Sequence, residues 1–174
     1  MLRLVTFTPA HFSLLSSWFS TTADIVQWAG PDLSFPLTDP QLHAFLAEAA
    51  QSPPRRKCWM TERDGTLVGH AQLGLDWRNG NALLSRVVLA PEARGQGLAV
   101  PMLSLVLDEA FSLNEIQRVE LNVYPWNKSA IRTYERLGFQ LEGTRRSSAL
   151  VEGERWDTAL MGLLRSELSH ANID

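Results

Sequence analysis

Pro91-Glu92-Ala93-Arg94-Gly95-Gln96-Gly97-Leu98-Ala99 passes from an apolar, strand-like run straight into a helix-like one. Gly95 and Gly97 let the backbone come close to a ligand. The first amides of a helix have no partners of their own, and the helix dipole adds about 0.3–1 kcal/mol for an anion placed there. A phosphate suits such a segment. It is neither of the common nucleotide loops, having no Gly-Lys-Ser/Thr and no third glycine at the dinucleotide spacing. A glycine-rich turn that binds nothing has the same composition, so both readings stand here. A second group, Asn127, Ala130, Ile131 and Tyr134, lies at helical spacing and shares one face, so Asn127 and Tyr134 can reach one ligand. Taken singly, Asn127 reads as a helix N-cap and Tyr134 as a packing residue.

The elements that must carry these residues follow from periodicity. Residues 2 to 7 alternate as a strand, and Thr8-Pro9 opens a helix from about 9 to 20 with Phe12, Leu15, Trp18 and Phe19 on one face. Gly30-Pro31 and Phe35-Pro36 break the next stretch. Asp39-Pro40 starts a helix carrying Leu42, Phe45, Leu46 and Ala49, which Pro53-Pro54 ends. Asp64-Gly65 and Asn79-Gly80 then separate Cys58 to Arg63, Thr66 to Asp76 and Ala82 to Ala90, predicting three antiparallel strands. Leu98 to Leu113 reads as a helix, Arg118 to Tyr124 as a strand, and Asn127 to Leu137 as a helix stopped by Gly138. Two strands, about 139 to 149 and 155 to 164, complete the count. The expected fold is α+β or mixed α/β: one domain over residues 1–174, with a mostly antiparallel sheet of about seven strands and about four helices. Strand 82–90, its crossover helix and strand 118–124 form a parallel pair. Ligands favour the carboxyl ends of such strands, which is where the 91–96 loop sits.

Composition narrows the function. At 174 residues, 45% hydrophobic and 20% charged, the chain can bury a real core. Its net charge of −3 supplies no overall field for nucleic acid or an anionic membrane, so an anionic ligand must be gripped locally. A lone Cys58 forbids an internal disulfide, and His11, His43, His70 and His170 have no zinc-like spacing, so no metal is expected. Residues 1–7 lack the apolar region of a signal peptide, and the most apolar stretch, Leu98 to Leu107, is short and holds Pro101 and Ser104. A cytoplasmic location with no membrane contact is the expectation.

Read together, Arg94-x-x-Gly97-x-Ala99, the Leu121 to Val123 strand end, Asn127, and Tyr134-Glu135-Arg136-Leu137-Gly138-Phe139 resemble the GCN5-related N-acetyltransferase (GNAT) superfamily. Gly138 to Arg145 and Gly153-Glu154-Arg155-Trp156-Asp157 through Met161-Gly162-Leu163-Leu164 are similar to its branch of ribosomal-protein and spermidine acetyltransferases. The likeness runs over about residues 60 to 165. It implies acetyl-CoA as co-substrate and a bulge that splays the parallel strands, with the pantetheine arm in the gap along Val87, Val88 and Leu89. It implies the pyrophosphate at the amides of Arg94, Gly95, Gln96, Gly97, Leu98 and Ala99, an amide near Val88 or Leu89 as oxyanion donor, Asn127 holding the arm, and Tyr134 protonating the departing thiolate.

Direct attack needs a neutral amine. His70, Asp76 and Glu120 are the candidate bases, His70 and Asp76 sharing a strand face by even separation. At pH 7, deprotonating a lysine-like amine costs about 4.6 kcal/mol against about 1.4 for an α-amine of pKa near 8, so the lack of an obvious strong base favours the weaker amine. The expected acceptor order is a peptide or protein α-amine, then a polyamine, then an aminoglycoside. Ile25-Val26-Gln27-Trp28 is similar to a segment of aminoglycoside acetyltransferases. A non-catalytic CoA-binding module of the same fold is the competing reading, and a homodimer is left open. Trp18, Trp28, Phe35 and Trp77 are candidate acceptor contacts or plain core. Arg86, inside an apolar strand, reads as a solvated residue or as a holder of a carboxylate or phosphate.

Overall fold

Alternate side chains of one strand go to two different helical layers, and that division organises the molecule. In β3 (Thr66–Asp76), Ala71, Leu73 and Leu75 enter one hydrophobic cluster, while His70 and Gln72 face the other way. The computed structural model describes residues 1–170; residues 171–174 of the expected domain, and the side chains of Ser169 and His170, lie outside the described residues. In chain order the elements are β1 (Leu2–Thr6), α1 (Phe12–Ser17), α2 (Thr22–Ala29), α3 (Asp39–Ala49), β2 (Arg56–Arg63), β3 and β4 (Asn81–Leu89). After them come α4 (Ala99–Ser112), β5 (Arg118–Val123), α5 (Lys128–Arg136), β6 (Gln140–Val151) and β7 (Glu154–Leu164). Short 3-10 segments occupy Pro9–His11, Pro91–Ala93 and Arg165–His170.

The strands form one seven-stranded sheet in the order β1-β2-β3-β4-β5-β7-β6, with β4 and β5 its parallel pair, as the sequence implied. On one face lie α4 and α5: Met102, Leu103, Val106 and Phe111 of α4 meet Leu73, Leu84, Leu121 and Met161 of the sheet. On the other, Phe12, Leu15, Ile25, Leu42 and Phe45 of α1 to α3 pack with Phe7, Cys58 and Met60. Pro101 falls in the first turn of α4, where its missing N–H costs no intrahelical bond. No helix among the described residues is long and apolar enough to cross a membrane.

Two helix expectations need correcting. The element read as a helix over 9–20 is a 3-10 turn followed by α1, which stops at Ser17. The stretch read as broken holds α2, a fifth helix, capped where Thr21 Oγ accepts from the Asp24 amide (3.1 Å) and the Asp24 carboxylate accepts from the Ser20 and Thr21 amides. Gly80 closes the β3–β4 turn at φ +68°, and a Cβ there would stand 2.5 Å from the Glu115 carbonyl oxygen. Its own carbonyl accepts from the Gln117 amide (2.8 Å), which sets β5 beside β4 from the first residue of the pair.

Candidate active site

The parallel pairing is short. It runs from Asn81↔Arg118 to Leu84↔Leu121 and ends, although β5 continues against β7 as far as Val123↔Ala159. The cause lies on the other edge of β4. His70 pairs with Val88 but Gln72 with Ser85, so Ala71 of β3 faces both Arg86 and Val87 of β4. This is a β-bulge, and it holds Arg86 at φ +51°, a left-handed conformation that a non-glycine residue rarely adopts. Beyond it β4 keeps β3 on one side and leaves β5 on the other.

The open edge has a defined polarity. Ala90 donates to the Val68 carbonyl at 2.9 Å, so alternation along an antiparallel ladder turns the N–H and C=O of Val88 to β3 and those of Val87 and Leu89 into the gap. Val88 therefore offers the gap no main-chain group, and of the two residues expected near the oxyanion only Leu89 turns its amide toward the gap. The Leu89 carbonyl accepts from Arg94 Nε at 3.2 Å. Val87 packs toward α4 and α5, and Val88 toward α1 to α3.

At the end of β4 the chain makes its 3-10 turn and enters α4 through Arg94 to Leu98. Gly95 and Gly97 have φ of +73° and +72°, and a Cβ on either would project into open space. The amides of Gly95 to Ala99 find no acceptor among the described residues. Side chains brace the loop: Gln96 Nε2 donates to the Glu92 carbonyl (2.7 Å), and Gln96 Oε1 accepts from Arg63 Nη1 (3.0 Å). Free donors, bare glycine surface and a helix start coincide, which fits a diphosphate.

At the start of α5, Asn127 caps the helix by accepting from the Ala130 amide (3.2 Å), which leaves its Nδ2 without a partner among the described residues. Ala130, Ile131 and Tyr134 lie on the core side of α5, as their spacing predicted. The half-buried Tyr134 ring meets Phe139 edge-on at 5.9 Å, and its hydroxyl has no hydrogen-bond partner among the described residues. Desolvation pushes the phenol pKa up to about 12, so it is a proton carrier at neutral pH.

The candidate bases fare differently. His70 is completely buried between Phe7 (4.8 Å) and Trp28 (5.9 Å), and burial, then Arg86 and His11, pushes its pKa down to about 3. It is a neutral core histidine. Asp76 and Glu120 share the wall of a cleft of about 280 Å³ with Glu48, Arg55 and Arg56, but that wall includes neither Tyr134 nor the loop. Asp76 accepts from Asn79 Nδ2 (2.7 Å), which lowers its pKa, and Glu120 accepts from Arg118 Nε (2.9 Å). Of the candidate acceptor contacts, Trp18 and Trp28 are core, Trp77 donates from Nε1 to the Pro54 carbonyl (2.7 Å), and Phe35 is exposed. Sequence reasoning passed over an aromatic group at the end of β5: Tyr124 stacks on Trp126 at 5.8 Å, and Trp156 meets both edge-on. Tyr124-Pro125-Trp126 directly after a strand was the available signal.

Residues 22–139 match the profile of the acetyltransferase (GNAT) family. A SPbeta prophage-derived N-acetyltransferase of Bacillus subtilis, YokL, is 30% identical over 136 residues, 78% of this chain and 76% of that one. A spermine/spermidine N(1)-acetyltransferase of B. subtilis is 35% identical over 86 residues, 46% of this chain and 57% of that one. The crystal structure of a spermidine N-acetyltransferase from Vibrio cholerae, in complex with CoA and spermine, superposes with a TM-score of 0.81 at 21% identity, covering 97% of this chain and 98% of that one. That likeness concerns the fold.

Proposed function

Since the chain belongs to the acetyltransferase (GNAT) family and is an acetyl-CoA-dependent N-acetyltransferase, we propose that its acceptor is a primary amine of modest pKa, an α-amine. The observation that carries this choice is the state of the candidate bases: His70 is sealed in the core with its pKa near 3, and Asp76 and Glu120 are already engaged. An amine that is partly neutral at pH 7 needs little help; one of pKa about 10 needs a base.

Acetyl-CoA supplies the activated acetyl thioester. Val87 bonds the pantetheine arm as a neighbouring strand would, through the amide and carbonyl that the bulge exposes. The amides of Gly95 to Ala99 take the pyrophosphate, with Arg94 tying the loop to the end of β4. Leu89 donates its amide to the carbonyl oxygen on which charge develops. Asn127 steadies the arm through Nδ2. Tyr134 gives its proton to the departing sulfur, for which a phenol kept protonated by burial is suited.

A polyamine acceptor is the second reading, favoured by the spermine/spermidine acetyltransferase among the relatives. A competition assay at pH 7 separates the two, with peptides bearing free N-termini against spermidine and kanamycin at equal concentration. Faster transfer to a peptide is expected. Transfer to spermidine or kanamycin orders of magnitude faster than to every peptide would overturn the α-amine assignment and require a base outside the three named.

A further inference from the structure

The bulge that opens the sheet also leaves a half-buried guanidinium without a counter-ion among the described residues. Arg86 projects onto the α1–α3 face, where its Cζ lies 4.5 Å from the centre of the Phe45 ring. Among the described residues its one hydrogen bond is from Nη1 to Gln72 Oε1 at 3.4 Å, an oxygen it shares with Arg56 Nη1 at 3.1 Å. Arg56 has Glu48 at 2.7 Å. Arg86 has no carboxylate within salt-bridge distance among the described residues, because Glu48 is held by Arg56 and Asp32 acts only from further away.

The neighbours of Arg86 repeat the pattern. Since Gln72 Oε1 accepts from two arginines, its amide nitrogen is the donor in the 3.0 Å contact with His70 Nε2. That fixes the His70 proton on Nδ1. His70 Nδ1–H, Trp28 Nε1–H and Arg86 Nε–H are all buried without an acceptor among the described residues, and His70 and Trp28 are more than nine-tenths buried. They belong to one patch: Trp28 is 5.9 Å from His70 and 6.5 Å from Phe45, the ring on which Arg86 rests. Three N–H donors and an unpaired positive charge are gathered there, and the acceptor in their midst, Gln72 Oε1, is already used twice. Buried donors are normally satisfied, so the patch lacks a group that is both negative and an acceptor.

Its position says which group. Arg86 sits two residues beyond the last β4–β5 pair, on the face opposite α5 and Tyr134. An amine attacking a thioester in the gap from that face would meet Arg86. We propose that Arg86, which rests on this donor-rich core, binds a carboxylate of the acceptor, so that the substrate is an amine that also carries a carboxylate and not a bare polyamine. This rests on the α-amine reading above and narrows it. A planar guanidinium fork matches a carboxylate in two parallel bonds, whereas a polyamine would bring further positive charge and further donors to a patch that already has an excess of both.

The carboxylate is either the α-carboxylate of an amino acid or the side chain of an N-terminal acidic residue, and paired probes distinguish them. Thiol release from acetyl-CoA is followed with alanine against alaninamide, and with Asp-Ala-Ala-amide against Asn-Ala-Ala-amide, in the wild type, Arg86→Gln and Arg86→Lys. We expect the acid of one pair to exceed its neutral partner at least 10-fold in kcat/KM, the pair identifying the source. In Arg86→Gln the ratio falls to about one through KM, and Arg86→Lys keeps part of it. Thermal shift of the wild type and both variants with N-acetylalanine against N-acetylalaninamide, and with the two N-acetylated peptides, reads the same subsite without turnover. Equal rates and equal shifts within both pairs, a preference that survives Arg86→Gln, or spermidine outpacing both acids would overturn the proposal. Calorimetry with acetyl-CoA alone keeps the two readings apart: acetyl-CoA binding without any carboxylate preference removes only the subsite, and loss of acetyl-CoA binding removes the site assignment beneath it.

Discussion

Tyr134→Phe keeps the ring against Phe139 and removes a single proton, so it separates packing from acid chemistry. Turnover should fall about 100-fold or more while the calorimetric affinity for acetyl-CoA changes little; an unchanged kcat, measured where chemistry limits the rate, would return Tyr134 to the packing residues. His70 makes the opposite kind of statement, one about stability. Its pKa is lowered to about 3 in the folded protein against about 6.5 in the unfolded chain, so between those values the unfolded state binds the extra proton. Above pH 6.5 the group contributes no pH dependence. As pH falls from 6.5 toward 3 it weakens the fold, with a limiting slope of about 1.4 kcal/mol per pH unit. Denaturant titrations from pH 7 to about 5.5, above the range in which most carboxylates titrate, should show a shallower slope for His70→Gln than for the wild type; His11, also lowered by burial, supplies a remainder. Identical slopes would mean that His70 protonates in the native state. Parity along β3 correctly put His70 and Asp76 on one face, but depth was illegible: it depends on Phe7 and Trp28, which arrive from 63 and 42 positions earlier in the chain.

Among the elements, the β3–β4 turn is the most exacting. Gly80 combines a left-handed φ with a carbonyl oxygen 2.5 Å from where a Cβ would stand, and that oxygen belongs to backbone, which cannot rotate aside. Gly80→Ala should therefore cost about 1–3 kcal/mol, read as a lower denaturation midpoint at an unchanged m-value. A neutral substitution would show that the Glu115 segment is free to move. The sheet was largely written in alternation and in the dipeptides Asp64-Gly65 and Asn79-Gly80, and the strands appear within a few residues of their expected limits. α2 was hidden because Gly30-Pro31 and Phe35-Pro36 drew attention to what ends a helix, while Thr21 and Asp24, three apart, marked where one begins. Arg86 in an apolar run was the trace of the bulge. Its spacing could not say that the strand pair parts there, because a bulge is a property of two strands and the sequence shows them one at a time.

At the scale of the whole molecule, the sheet separates two hydrophobic clusters, one packed against Tyr134 and one against Ala93 and Leu98 of the loop, and both press on β3 and β4. Acetyl-CoA contacts should accordingly stabilise the entire fold by mass action, about 2.7 kcal/mol at a hundredfold excess over Kd. The half-paired end of β4 carries a consequence in time as well as in space. An amide locked in a ladder exchanges its hydrogen with solvent only when the structure opens, and one facing a cleft needs no such event. Without ligand, the Val87 and Leu89 amides should lose their label early while Val88, bonded to β3 between them, retains it, a one-residue alternation that no uniform loosening of the strand could imitate. Acetyl-CoA should erase the alternation by slowing Val87 and Leu89 toward the rate of Val88, so that the bound arm registers, in exchange kinetics, as an eighth strand closing a sheet of seven.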